Sequence, residues 1–238
     1  MSVAMQMKFP TLPKESGRKS NAVYGSLRRL IMLSELNGGS ILTEQSLAHE
    51  FTCSQGTIRE ALLRLEQDGL VERRGYQGTF VTSISDAEAE ILIHQRIALE
   101  SAGIARACLN IDTATREFML QSVEDYRKVR DLGDGYLLSR VDLAFHMKLF
   151  ERANLPNLLP VLARTLQLVH RFMMAQRAGE TFWLDLFPEQ HVSIIEALDQ
   201  KDPEVCRQLM AQHIASNIAA FHPVMHRRLF GSLEQPSV

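Results

Sequence analysis

Residues 42–81 read LTEQSLAHEFTCSQGTIREALLRLEQDGLVERRGYQGTFV, and this stretch decides the fold. Thr43 is placed to cap a short helix whose inner side is Leu47, Ala48 and Phe51. Phe51-Thr52-Cys53 makes a turn, and Ser54 caps a second helix, because its hydroxyl can accept from the free amides of the next turn. Within that helix Ile58, Ala61, Leu62 and Leu65 recur at i, i+3, i+4 and i+7, so they form one buried stripe. Gln55, Gly56, Thr57, Arg59 and Leu63 occupy the opposite side. Short polar residues and a glycine near a helix N-terminus let the backbone approach a phosphate, which the helix dipole favours. Gly69 ends the helix. Residues 70–74 and 79–81 have strand composition, with Gly75-Tyr76-Gln77-Gly78 turning between them. Two short helices, a sharp turn and a two-stranded ribbon make a winged helix-turn-helix, a device for placing one helix in a DNA groove. The competing reading is a helical hairpin and a β-hairpin in an unrelated small domain. The order and lengths of cap, turn, helix and ribbon together favour the winged form.

Composition sets wider bounds. The chain has 238 residues and a net charge of −2, enough for one large domain or two small ones. Residues 1–84 hold 10 Lys+Arg against 8 Asp+Glu, and residues 85–238 hold 16 against 20. The basic excess thus lies on the reading domain. Cys53, Cys108 and Cys206 are scattered with no Cys-x-x-Cys, as expected of small apolar residues in a reducing cytosol. No apolar run is long enough for a bilayer span, and the first residues lack a signal-peptide core, so a soluble cytoplasmic protein without a membrane partner is expected.

The expected architecture is mainly α: a winged helix-turn-helix followed by an all-α antiparallel bundle. Residues 1–20 read as a flexible N-terminal arm, 21–83 as the DNA-binding domain, 85–230 as a helical effector domain and 231–238 as a tail. A bracing helix is expected over 21–36, with Val23, Leu27, Leu30 and Ile31 inward and Asn37-Gly38-Gly39 as its stop. Beyond Ser85 six helices are expected, near 86–109, 112–131, 136–153, 156–178, 183–199 and 203–222. Pro156 is read in the first turn of the fourth, and Pro188 marks a break in the fifth. Short loops between them imply antiparallel packing.

Asp142 and His146 stand four apart, on one helix face, with Leu138, Ser139 and Phe145 around them. His191 precedes the apolar stripe Ile194, Ile195 and Leu198, and His213 sits between Met210 and Ile214. Three histidines and an aspartate therefore fall at core-facing positions of three helices. Such a set suits zinc, nickel, iron or manganese. Taken singly, each histidine is more readily a core residue satisfied by one hydrogen bond than a ligand. Burying all of them unpaired would be costly, and a metal would offset that cost.

Two resemblances sharpen this. Residues 53–81, CSQGTIREALLRLEQDGLVERRGYQGTFV, resemble the winged-helix domain of GntR-type bacterial transcription regulators. The resemblance implies that Arg59 contacts a guanine or a phosphate. Gln55 and Gln45 stand where the family often has arginine, and glutamine pairs best with adenine. The implied DNA-contacting set is Gln45, Ser54, Gln55, Gly56, Thr57 and Arg59, with Arg74, Tyr76, Gln77 and Gly78 from the wing. Downstream, RIALESAGIARA at 96–107, DLAFHMKLFERANLPNL at 142–158 and HVSIIEALDQKDPEVCRQLMAQHI at 191–214 resemble the FCD ligand-sensing domain of the FadR branch, in its shorter form. That likeness implies metal ligation by Asp142, His146, His191 and His213. It leaves His49, His94, His170, His222 and His226 as surface or locally hydrogen-bonded residues.

Arg96 falls at the position that the resemblance turns toward the effector, where a guanidinium can grip a carboxylate in a bidentate way. The alternatives are an exposed arginine or a salt bridge with Glu100 at i+4. Arg171 and Asn154 are further cavity candidates, Asn154 doubling as a cap. The expected function is a homodimeric, ligand-responsive transcription regulator, a metabolic repressor that binds double-stranded operator DNA. It would sense a small organic acid through a divalent transition metal, zinc first, with nickel, manganese or iron as alternatives. Two rivals stay open: a metal-dependent enzyme acting on a small acid, and a constitutive DNA-binding protein with a structural metal. Against the enzyme stand the missing metalloprotease glutamate, phosphate loop and nucleophile elbow.

Overall fold

The computed structural model describes residues 19–176 and 187–231 of the chain. The chain divides into two compact units, residues 1–83 and 84–238. The arm over residues 1–18, the tail beyond 231 and the expected start of the fifth bundle helix at 183–186 lie outside the described residues.

The first unit runs α1 (Lys19–Met32), β1 (Ile41–Leu42), α2 (Glu44–Glu50), α3 (Gln55–Gln67), β2 (Val71–Arg73) and β3 (Thr79–Val81). Helix α1 begins inside the expected arm and stops four residues short of Leu36. Ser34 adopts a left-handed φ of 57°, and the amides of Glu35 and Leu36 fold back onto the Leu30 carbonyl at 2.9 and 3.0 Å. Both bonds fall on the one Leu30 carbonyl, so the helix end is closed before the expected glycine stop is reached. Helix α1 packs on α3, and Val23, Leu27, Ile31, Ile58, Ala61, Leu62 and Leu65 are wholly shielded from solvent. Both reading helices are capped by hydroxyls: Thr43 accepts from the Ser46 amide and Ser54 from the Thr57 amide, each at 3.2 Å. Thr52, at φ 49°, makes the turn between them.

The ribbon is a three-stranded antiparallel sheet in the order β1-β3-β2, with Ile41 opposite Phe80 and Val71 opposite Val81. Strand β1 is two residues long, too short to leave a periodic signal. A single 3-10 turn, Gly75–Gln77, forms the wing tip. Gly75 opens it and Gly78 follows it, at φ 52° and 106°, where a side chain would be strained.

The second unit contains α4 (Asp86–Ala107), α5 (Thr113–Asp131), α6 (Gly135–Glu151), α7 (Leu159–Ala175), α8 (Phe187–Gln200), α9 (Pro203–Phe221) and α10 (Pro223–Phe230). Seven helices are thus described where six were expected. The extra one starts because Pro223 halts α9 and the His222 ring accepts from the Met225 amide at 3.3 Å, capping a new helix. Pro156 lies in the turn before α7, not inside it. Asn154 has φ 55° there, and Pro160 takes the first-turn position. Pro188 is the second described residue of α8, and the stretch before it, on which the expected break depends, lies outside the described residues. Ser85, Asp112, Asp134 and Asp202 cap α4, α5, α6 and α9 with side-chain oxygens.

Ile104, Met119, Phe145, Leu149, Ile194, Met210 and Ile214 form the larger core, drawn from α4, α5, α6, α8 and α9. Ile93, Val169, Phe172, Ile218 and Phe221 form a second one, drawn from α4, α7 and α9. Helix α4 runs between them and touches α6, α7 and α9. At Gly103 the approach of α6 is so close that a Cβ would lie 2.3 Å from the Phe150 ring. Cys108 and Cys206 are buried, Cys53 is half-buried, and all three are free thiols. Among the described residues no helix is long and apolar enough to cross a membrane.

Candidate functional site

The exposed side of the first unit carries the expected DNA-contacting residues. Ser54, Gln55, Gly56 and Arg59 are exposed and Thr57 is half-buried, all at the start of α3, and Gln45 is exposed in the first turn of α2. Arg59 is held side-on: its Nε and Nη2 donate to Glu44 Oε1 and Oε2 at 3.0 and 2.6 Å. This pairing holds the Glu44 carboxyl below its ordinary pKa. Both Nη1 hydrogens and one on Nη2 are not used by Glu44, on a side chain that is 57% exposed. On the wing, Arg74 Nε donates to Glu72 at 2.9 Å while its guanidinium lies 4.6 Å from the Phe80 ring centre. Tyr76 and Gln77 are exposed at the tip, and Gly78 is half-buried behind them.

A polar cluster occupies the middle of the second unit. Helix α6 turns Asp142 and His146 inward, one helical turn apart. Helix α8 supplies His191 and α9 supplies His213, and all four are buried. Each offers one nitrogen or oxygen atom such that the four atoms lie within 4.8 Å of one another. Asp142 Oδ1 faces His146 Nε2 at 3.4 Å and His191 Nε2 at 3.5 Å, and it has no aligned hydrogen bond. The His191 and His213 ring centres are 4.5 Å apart and those of His146 and His213 5.3 Å. The Phe145 ring meets His191 edge-on at 4.2 Å and walls the cluster on its apolar side.

Around these four lies a ring of supporting groups. Arg96 and Glu100, one turn apart on α4, are both buried and paired, Nε donating to Oε1 at 2.6 Å. Arg96 therefore is the i+4 salt bridge and a buried guanidinium at once. The other Glu100 oxygen contacts His146 Nδ1, and Arg96 Nη2 lies 3.3 Å from His146 Nε2. His170 Nε2 lies 2.7 Å from Asp142 Oδ2. Gln190 Oε1 is 2.9 Å from His213 Nδ1, and Asn217 Nδ2 is 3.3 Å from His213 Nε2.

Charge explains the protonation preferences. Burial alone would lift the Glu100 carboxyl, but the charges on His146 and Arg96 outweigh it and bring it to about 2. Burial likewise lowers His146, yet Glu100 and Asp142 carry it up to about 9. Asp142 is held well below the usual carboxylate range. Burial opposes this, and His146 and His170 overcome it. Burial pushes His213 well down, with His191 and His146 adding to it, and burial also lowers His170. Two buried carboxylates, Glu100 and Asp142, are thus balanced at the centre by Arg96 and a charged His146.

Three supporting residues escaped the sequence reading in this role. His170 was assigned to the surface or to local bonding, but it is buried on the register Leu166, His170, Met173. An imidazole on an otherwise apolar helix face was the available signal. Glu100 was seen only as a partner of Arg96, and Gln190 not at all. Arg171 is buried, and burial drops it to about 10. Asn154 is exposed in its turn and is not among the buried polar residues.

Comparison with known proteins supplies the family. Residues 19–81 match the family model of bacterial regulatory proteins, gntR family, and residues 91–216 match that of the FCD domain. The chain is 26% identical over 221 residues to the HTH-type transcriptional repressor RspR of Escherichia coli, covering 90% of this chain and 91% of that one. It is 28% identical over 203 residues to a probable D-xylose utilization operon transcriptional repressor of Paenarthrobacter nicotinovorans, covering 83% and 88%. In fold it resembles E. coli McbR/YncC, with a TM-score of 0.72 at 22% identity, covering 87% of this chain and 99% of that one. A putative GntR regulator from Rhodococcus sp. RHA1 follows at a TM-score of 0.69 and 20% identity, with the same coverage. The chain belongs to the GntR family of bacterial regulatory proteins, with a winged helix-turn-helix joined to an FCD domain, and it is a transcription regulator rather than an enzyme.

Proposed function

We propose that this regulator is a homodimeric repressor whose helical unit holds a divalent transition metal and senses a small organic acid. The observation that carries the reading is the orphaned Asp142 Oδ1, facing two imidazole nitrogens at 3.4 and 3.5 Å. Two ligands of one tetrahedral ion at ~2.1 Å from the metal would stand about 3.4 Å apart. Asp142, His146, His191 and His213 would hold the ion, and zinc suits such a nitrogen-rich set, with nickel, manganese or iron as alternatives. Bound there, it would supply Lewis acidity toward a carboxylate oxygen. The buried guanidinium of Arg96 stands beside the same centre and suits the acid's other oxygen.

Two relatives carry the word repressor in their names, which supports that direction of control. The operator would be read by Gln55, Gly56, Thr57 and Arg59 from α3, with Ser54 and Gln45 beside them and Arg74, Tyr76, Gln77 and Gly78 on the wing. A single short helix covers few base pairs, so two copies on a near-palindrome supply the needed contact set. An acid shifts the protein off or onto DNA only by binding one arrangement of the reading heads more tightly than another.

The test begins with elemental analysis of the purified chain. About one transition-metal ion per chain is expected, falling to background when His191 and His213 are both replaced by alanine. Small acids are then titrated into an operator-bound sample. Metal with no response to any acid would favour a structural ion in a constitutive DNA-binding protein, and no metal would overturn the reading.

A further inference from the structure

Glu100 is buried, charged and shared, and nothing in the proposed sensing step uses it. One of its oxygens takes Arg96 Nε at 2.6 Å and the other contacts His146 Nδ1. A carboxylate beside Nδ1 keeps a proton there, so that when a cation displaces the proton on Nε2 it is Nε2 that turns a lone pair to the centre of the cluster. Arg96 Nη2 already stands against that nitrogen, 3.3 Å from His146 Nε2. Arg96 and a cation therefore want the same atom.

We infer that Glu100 is a pivot that makes metal loading arm Arg96. The inference rests on the metal reading above. A cation that takes His146 Nε2 must displace Arg96 Nη2. Glu100 keeps hold of Nε meanwhile, so the arginine stays in the site with one edge freed rather than swinging away. The freed Nη2–H then faces the cation's surroundings and can donate to a carboxylate that also reaches the ion. Glu100 thus positions two residues in opposite senses: it readies His146 for the metal and holds in place the arginine that competes for it. Loading is consequently ordered, metal before anion.

The competition predicts opposite signs for two neighbouring substitutions. Glu100→Gln offers one oxygen and one NH2 group, so it cannot accept from both Arg96 and His146. Loss of a second carboxylate support of this kind lowers metal affinity by ~10–100-fold. Arg96→Gln removes the competitor and a positive charge a few ångströms from the ion, and should raise metal affinity on the order of tenfold. A merely structural role for the pair would move both the same way.

The experiment titrates Zn2+ into the full-length apo chain against a chromophoric chelator, for wild type, Glu100→Gln and Arg96→Gln, with far-UV circular dichroism verifying the fold. Co2+ in place of Zn2+ reports ligand geometry by its visible absorption, and acetate serves as the simplest carboxylate. Weaker binding in Glu100→Gln, tighter binding in Arg96→Gln and an acetate response only in the metal-loaded wild type are expected. Equal affinities, loss in both variants, or acetate binding to the apo wild type overturns the pivot. If Glu100→Gln does not fold, Arg96→Gln decides alone, a rise supporting the pivot and no rise refuting it. A wild type that binds neither ion defeats the metal reading itself, a different outcome.

Discussion

Replacing Gly103 by alanine tests whether the α4–α6 approach sets the polar centre. Gly103 lies three residues beyond Glu100, and Phe150 lies four beyond His146, so the contact is one turn from the cluster on both helices. An alanine Cβ would sit 2.3 and 2.4 Å from two Phe150 ring carbons, against an ordinary contact of 3.4 Å or more. The ring must retreat by about 1 Å in a core where Phe150 is 2% exposed. Two effects compete. Alanine in place of a helical glycine stabilises by ~0.5–1 kcal/mol. Overpacking a dense core costs ~1–3 kcal/mol, and a rigid backbone striking a ring belongs at the upper end. The expected net is a loss of about 2 kcal/mol, which at a urea slope of ~2 kcal/mol per M lowers the midpoint by about 1 M. Urea unfolding of the apo chain, followed by circular dichroism, reads it. In the double variant Gly103→Ala/Phe150→Leu part of the loss should return, as a coupling of roughly 1 kcal/mol. Zn2+ affinity should fall by ~10-fold or more in Gly103→Ala, since Glu100 no longer meets His146 squarely. A Gly103→Ala chain more stable than wild type would mean that only helix propensity acted, and the close approach would be refuted.

Other outcomes follow from single contacts. Arg59→Ala should weaken operator binding, measured by fluorescence anisotropy, with metal content unchanged; wild-type affinity would remove Arg59 from the interface. Losing one good arginine–guanine pair costs ~1–3 kcal/mol of discrimination. Ser54→Ala deletes the 3.2 Å cap on the Thr57 amide and should cost ~1 kcal/mol in the winged unit, read by chemical denaturation. No loss there would mean that solvent caps α3 equally well. Chelation should lower the melting temperature: an ion at 100 times its Kd adds ~2.7 kcal/mol, or about 5–10 °C for a unit of this size. An unchanged melting curve after stripping with a strong chelator would count against a bound ion.

Local patterns carried much of this architecture. The cap Ser54, the stripe Ile58–Ala61–Leu62–Leu65 and the four-residue step from Asp142 to His146 each depend on residues within one or two turns. Such steps survive in any tertiary setting. What escaped was non-local or too short. Strand β1 has two residues and exists only because β3 lies beside it. The roles of His170 and Gln190 depend on contacts between helices distant in sequence, to Asp142 and His213. Pro156 misled because proline suits both a first helical turn and a loop. The choice fell to Asn154, whose left-handed φ of 55° ends the preceding segment. Glu100 was visible as an i+4 partner, but its second oxygen reaches another helix, which spacing along one helix does not reveal.

The buried cluster draws on α4, α6, α7, α8 and α9, so its members are scattered along more than half of the chain, from Arg96 to Asn217. The reading head, by contrast, is finished once β3 has been made at Val81. During synthesis the part that grasps DNA is therefore complete long before the part that would take instructions. A product cut short ahead of α9 keeps the first and can never assemble the second. Such a fragment would lack His213 and with it one of the four groups proposed to hold the ion.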